Sequence, residues 1–138
     1  MTLNADLVRA RCGEIAESVG RLERFRSIPR EVFLADRDAL DIASYRLLVA
    51  IEAALALCYH VSATRVHRVP EGYAECFAVL CEAGILPEDL SRRLQQMARF
   101  RNLLIHRYWE VDSGIVHDVI HRHLGDLRAF AAAAAGLV

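Results

Sequence analysis

The chain has no lysine, and all 17 of its basic residues are arginine. Every cationic contact therefore has the planar, forked geometry of a guanidinium, which suits carboxylates and phosphates. With 18 acidic residues the formal net charge is −1 and the isoelectric point is about 6.6. That balance excludes a general nucleic-acid coat but leaves room for a local basic patch. Breakers are scarce, with only 7 Gly and 3 Pro. Too few turns are available for a small all-β domain, so long helices are favoured. The four cysteines, Cys12, Cys58, Cys76 and Cys81, match no zinc spacing. They sit among apolar residues, as buried reduced thiols do, and Cys76 and Cys81 are too far apart for a redox motif. No uncharged apolar run approaches the ~18 residues that a membrane span needs. Asn4, Asp6 and Arg9 interrupt any apolar run at the N-terminus that could serve as a signal peptide. The expectation is a cytoplasmic protein with no membrane contact.

What is present is hydrophobic surface in quantity. Apolar residues make up 54% of the 138 positions, which excludes a disordered chain. This length fits a single domain, residues 1–138, that buries roughly two-thirds of its unfolded surface. The fold class expected is all-α, an up-and-down bundle of four to five helices joined by short loops.

The periodicity predicts where those helices lie. Leu7, Ile15, Val19 and Leu22 form one apolar face of a first helix, from about Asp6 to Arg26, stopped by Ser27-Ile28-Pro29. Asp36 or Asp38 caps a second helix that reaches about Thr64. Its centre, Leu47 to Val61, is apolar nearly all round, as the middle of a bundle requires. Tyr45 and Tyr59 read as core. After a loop at Val69-Pro70-Glu71-Gly72, a short third helix spans Tyr73 to Ala83, with Gly84 at its C-terminal cap. Pro87 opens a fourth helix at its first position, with Glu88 and Asp89 in the first turn, ending near His106. Asp112-Ser113 caps a fifth that runs to about Ala134, its alanine run 131–135 fraying. His117, His121 and His123 read as partly exposed helix residues, and no metal site is expected of them.

The fourth helix carries an anomaly. Leu90, Leu94, Met97, Leu104 and Tyr108 share one stripe, and Arg101 interrupts it. A guanidinium in an apolar arc needs a partner or a purpose. Glu52 is the available partner, because it interrupts an equally apolar stripe of Tyr45, Leu48, Leu55 and Tyr59 on the central helix. Asn102 and His106 share a second, polar stripe with Arg99 and Gln95. In a straight helix His106 lies about 140° around the axis from Arg101. One copy brings the two to one ligand only if the helix loosens or Arg101 reaches around; otherwise a second copy completes the site at a two-fold axis.

The segment Arg101-Asn102-x-x-x-His106-x-Tyr108 resembles the HepT family of ribonuclease toxins, within the HEPN superfamily. Ile51-Glu52-Ala53-Ala54 resembles the family's second helix, and Pro70, Tyr73, Phe77, Leu80 and Gly84-Ile85-Leu86 resemble its middle section. The resemblance covers about Asp38 to Phe130. It implies the toxin of a type VII (HepT/MntA) toxin–antitoxin system, a metal-independent endoribonuclease acting on RNA. Arg101, Asn102 and His106 then carry catalysis, and no cofactor or metal is expected. It further implies that a minimal nucleotidyltransferase antitoxin, MntA, transfers AMP onto Tyr108.

The residue types suit that chemistry. Imidazole titrates near neutral pH and can take or give the proton of a ribose hydroxyl. Arginine can hold the phosphate that gains charge in the transition state. Arg99 and Arg107 are candidates to steer RNA, and Trp109 to stack on a base or to cover the end of the bundle. Arg92 and Arg93 read as a solvated face. A second function remains open: a non-catalytic, nucleotide-binding helical partner of a nucleotidyltransferase, whose Arg–His pair holds a ligand and cuts nothing.

Overall fold

The structure is a computed structural model and describes residues 2–138. Seven α-helices follow one another, and no strand occurs among the described residues: α1 (Ala5–Glu23), α2 (Arg30–Ala35), α3 (Arg37–Val61), α4 (Tyr73–Glu82), α5 (Glu88–His106), α6 (Ser113–Arg122) and α7 (Leu124–Ala135). The number exceeds the expected four to five for two reasons. Six residues between Pro29 and Asp36 form α2, too short to show a period. The expected fifth helix breaks at His123 into α6 and α7, although its apolar spacing continues across the break.

Local signals set most of the ends. Asn4 caps α1 by accepting from the amides of Asp6 and Leu7, Asp36 caps α3 and Asp112 caps α6. Pro87 lies one residue before α5 rather than at its first helical position. Gly84, at φ +78°, takes the left-handed conformation after α4 that a side chain would resist. The end of α3 widens into a π-helical turn, Ser62–Val66, closed by left-handed His67.

α3 is the axis. Its residues Ala43, Leu47, Ala50, Ala54, Leu57 and Val61 are essentially inaccessible. By length and apolarity the stretch Arg37–Val66 could cross a membrane, but 61% of its most apolar window is buried inside the bundle. α1 runs antiparallel to it, with the Asn4 amide donating to His60 Nε2 at 2.9 Å. The buried face of α1 is Val8, Ile15, Val19 and Leu22; Leu7, expected there, is only half-buried. α7 closes the other side, where Phe130 meets Phe77 of α4 edge-on with centroids 5.3 Å apart. The alanine run is packed rather than frayed: Ala134 is buried, and Ala131 and Ala133 lie against the core. Between α3 and α4 the thiols of Cys58 and Cys76 face each other, both fully buried. Burial, before all else, pushes the Cys58 thiol far above its ordinary range.

A polar cluster ties α2 to α6. Arg30 Nη1 donates to His117 Nδ1 at 3.0 Å and to Asp118 at 3.1 Å, and the His117 ring stacks on His121 at 3.9 Å. His117 is therefore buried, contrary to the expectation of partial exposure. Its burial, with the neighbouring His121 and Arg30, pushes its pKa down, opposed by Asp118. Arg93 is also corrected. Rather than standing free on a solvated face, it is part-exposed and bonds Asp126 of α7 at 3.1 Å, and Asp89 lies one turn back.

Candidate active site at the end of α5

The two interrupted stripes meet. α3 and α5 pack antiparallel, so that as α3 is read backwards α5 is read forwards: Glu52 meets Arg101, Leu48 lies with Leu104, and Asp41 and Ser44 lie with Tyr108. Spacings of three and four on each helix keep the two rows in step over two turns.

Arg101 is 9% exposed, and its guanidinium is held on three sides. Nε donates to Glu52 Oε1, Nη1 donates to Asn102 Oδ1 at 3.0 Å, and the plane lies 4.3 Å from the ring centroid of Tyr73. The Glu52 carboxylate raises the guanidinium's pKa against the opposing effect of burial. Nη2 makes no hydrogen bond within the chain among the described residues, so it is the nitrogen left for a ligand. Tyr73 was not singled out as a site residue from the sequence. An aromatic at the first turn of a short helix carries no signal of a partner 28 positions away.

His106 contrasts with this. It is the last residue of α5, exposed, and its imidazole takes part in no hydrogen bond among the described residues. The helix stays regular up to it, so the angular separation of about 140° from Arg101 persists within one copy. Asn102 is exposed beside Arg101. Arg107 then leaves helical geometry at φ −140° and ψ 47°, and a short 3-10 turn, Tyr108–Glu110, follows.

That turn sends Tyr108 back onto α3. The phenol is half-buried and donates to Asp41 Oδ1, with the Arg37 guanidinium 5.9 Å from the ring centroid. Burial first, then Asp41, push its pKa up, and Arg37 opposes them. Beside it lies a cavity of about 210 Å³ lined by Asp41, Ser44, Tyr45, Leu48, Leu104 and Tyr108. Tyr45, expected in the core, is 63% exposed, because α5 ends before it can cover that face of α3. Arg99 is exposed, Arg107 is an exposed partner of Glu110 at 3.5 Å, and Trp109 is 75% exposed and covers nothing. No group of three or more His, Cys, Asp or Glu side chains converges as a metal site would need among the described residues.

A helical bundle whose α5 presents Arg, Asn and, as its last residue, His defines a class of small all-helical domains. Within that class the chain is a member of the ribonuclease HepT-like family, whose model matches residues 15–134. It is similar to the mRNA nuclease HepT of Shewanella oneidensis, at 26% identity over 98 residues, 71% of this chain and 74% of that protein. Among solved structures it is similar to a tri-AMPylated Shewanella oneidensis HEPN toxin in complex with an MNT antitoxin. That match has a TM-score of 0.85 at 23% identity and covers 93% of this chain and 96% of the other. A cytosolic protein of unknown function, YutE from Bacillus subtilis, matches at a TM-score of 0.84 and 17% identity over 99% and 92% of the two chains.

Proposed function

We propose that the chain is a single-domain endoribonuclease that cleaves RNA without a metal ion, and that it is the toxin of a HepT/MntA-type pair. The observation that carries this reading is the pre-set Arg101 guanidinium, its Nε anchored by Glu52 and its Nη1 by Asn102, five residues before an exposed His106 on the same helix. The relative that is an mRNA nuclease supports the substrate class.

The chemistry is transesterification within RNA. The ribose 2′-oxygen attacks the adjacent phosphorus, the 5′-oxygen leaves, and the products carry a 2′,3′-cyclic phosphate and a 5′-hydroxyl. The attacking hydroxyl must lose a proton and the leaving oxygen must gain one. Arg101 binds the phosphoryl oxygens as their charge grows, and Asn102 fixes the fork. One imidazole per copy cannot meet both proton demands at once. A two-fold pair of α5 ends supplies a second His106 and also removes the angular obstacle within one copy. Exposed Ile42, Tyr45 and Ile105 offer apolar surface for such an interface, which for a stable pair totals about 1,600 Å². Arg99 and Arg107 steer the strand and Trp109 stacks on a base.

Control falls to a minimal nucleotidyltransferase that adds AMP to Tyr108. The added phosphate brings charge and bulk next to the His106 end of α5 and competes with RNA. The AMPylated toxin among the similar structures supports this reading. The deciding experiment is cleavage of RNA by the purified chain in EDTA, with and without His106→Ala. Cyclic-phosphate ends are expected from the wild type alone. Equal cleavage by both proteins would sink the assignment. DNA, lacking the 2′-hydroxyl, is expected to resist.

A further inference from the structure

We infer that this chain carries its own general base for the modification of Tyr108, the carboxylate of Asp41, in a preformed acceptor pocket that also holds the Ser44 hydroxyl. The inference rests on the proposed AMPylation of Tyr108 and goes beyond it by assigning the proton acceptor to the modified protein rather than to the modifying enzyme.

Three observations converge. First, the phenol hydrogen is already directed at Asp41 Oδ1, the geometry a general base needs before reaction. Second, Asp41 is itself oriented. Arg37, one turn earlier on α3, lies 3.7 Å from the same oxygen through Nε and extends across the face of the Tyr108 ring. Arg37 is the charged group that faces both partners. Third, Ser44 Oγ is buried, with the residue only 2% exposed, and has no hydrogen-bond partner, yet its residue lines the cavity beside Tyr108. Beside the phenol, that hydroxyl opposes the rise in the Tyr108 pKa. Asp41 is half-exposed, and the phenol beside it is half-buried.

The need for a base follows from the surroundings. Burial keeps the phenol protonated at neutral pH, so little phenolate stands ready. In the step itself Tyr108 Oη attacks the α-phosphorus of a nucleoside triphosphate held by the partner enzyme. The Oη–P bond forms, the bond from that phosphorus to the bridging oxygen breaks, and pyrophosphate leaves with the electron pair. The Oη proton passes to Asp41 Oδ1. A carboxylate serves although it is a weak base, because the hydroxyl's acidity rises as the new bond forms; kinases use an aspartate in the same way. Asp41 then releases the proton to solvent; the modified phenol can no longer donate to it, and the regenerated carboxylate repels the new phosphodiester. The modified side chain then leaves the pocket toward the His106 end.

The test uses the full chain with its cognate nucleotidyltransferase, ATP and magnesium, following AMP incorporation by intact mass across pH 5.5 to 9.5. Wild type, Asp41→Asn, Asp41→Glu and Tyr108→Phe are compared, each with an unchanged helical circular-dichroism signal. The expected result is a fall of about a hundredfold in the Asp41→Asn rate at pH 7, near the lower end of what general-base catalysis supplies. Its rate should climb with pH toward that of the wild type as phenolate forms unaided, and Asp41→Glu should recover part of the loss. A merely structural role would lower the rate equally at every pH. An Asp41→Asn protein modified at the wild-type rate, with Tyr108→Phe still refractory, overturns this inference and leaves Tyr108 as the acceptor. A wild type that gains no AMP, or a Tyr108→Phe protein that still does, overturns both.

Discussion

α5 and the segment that ends it are built on opposite terms. From Leu90 to Leu104 it is a packed helix whose inward row, Leu90, Leu94, Met97, Arg101 and Leu104, is buried to the last member. From Ile105 to Glu110 the chain is largely exposed, its backbone leaves the helix, and its one inward-facing side chain, Tyr108, is held by α3. The buried half fixes where Arg101 points, at the cost of desolvating a charge that Glu52 must offset. The exposed half leaves His106 and Trp109 free to meet something large. Rigidity and access, which oppose each other in a single residue, are thus divided between neighbours on one helix.

The comparison breaks most visibly if His106 turns out to bear structure. His106→Ala should lower RNA cleavage by about 10²-fold or more while thermal unfolding moves by less than about 0.5 kcal/mol. A large loss of melting temperature would erase the contrast. Leu94→Ala is its mirror. Leu94 is fully buried, so unfolding in urea should show a loss of about 2–5 kcal/mol, with the turnover of the remaining folded enzyme unchanged. Glu52→Gln tests the joint between the halves. The carboxylate is 45% exposed, so the loss of stability should be only about 1 kcal/mol. Cleavage should nevertheless fall about tenfold, through kcat rather than KM, because Arg101 loses its anchor. Undiminished kcat would mean that the fork needs no preparation.

The smallest effect lies away from α5, in the Arg30–His117 cluster. The folded pKa of His117 is depressed below its ordinary value. The native state then binds fewer protons than the unfolded state, so stability is complete above about pH 6.5 and declines as pH falls below it. His117→Phe should flatten the fall in melting temperature between pH 7.5 and 5.5. A fall as steep as in the wild type would assign it to other groups.

What could be read from sequence follows from the range of the forces involved. The ends of α5, and the pairing of Arg101 with Glu52, were legible because each residue breaks an otherwise apolar stripe and the two oddities answer each other. Tyr108 could not be placed, since a helical stripe says nothing once the helix ends at Arg107. Asp41, Ser44 and Tyr73 were silent: each sits among ordinary neighbours and acquires a role only across 28 or more positions. Tyr45 misled because the stripe that places Glu52 beneath α5 continues past the point where α5 stops. The break at His123 left no mark, because α6 and α7 keep the same apolar spacing on either side of it.

Cys58 and Cys76 give the molecule a built-in gauge of its own opening. Both sulfurs are sealed between α3 and α4, and burial keeps Cys58 in its inert thiol form. An alkylating reagent meets either one only when those helices part, while half-buried Cys12 and Cys81 lie nearer the solvent. The ratio of labelling at the two pairs therefore counts excursions of the central helix away from α4, the helix whose Tyr73 braces Arg101. The braced guanidinium of Arg101 and a pair of sheltered thiols thus depend on the same closed seam, and the chemistry of the second reports on the setting of the first.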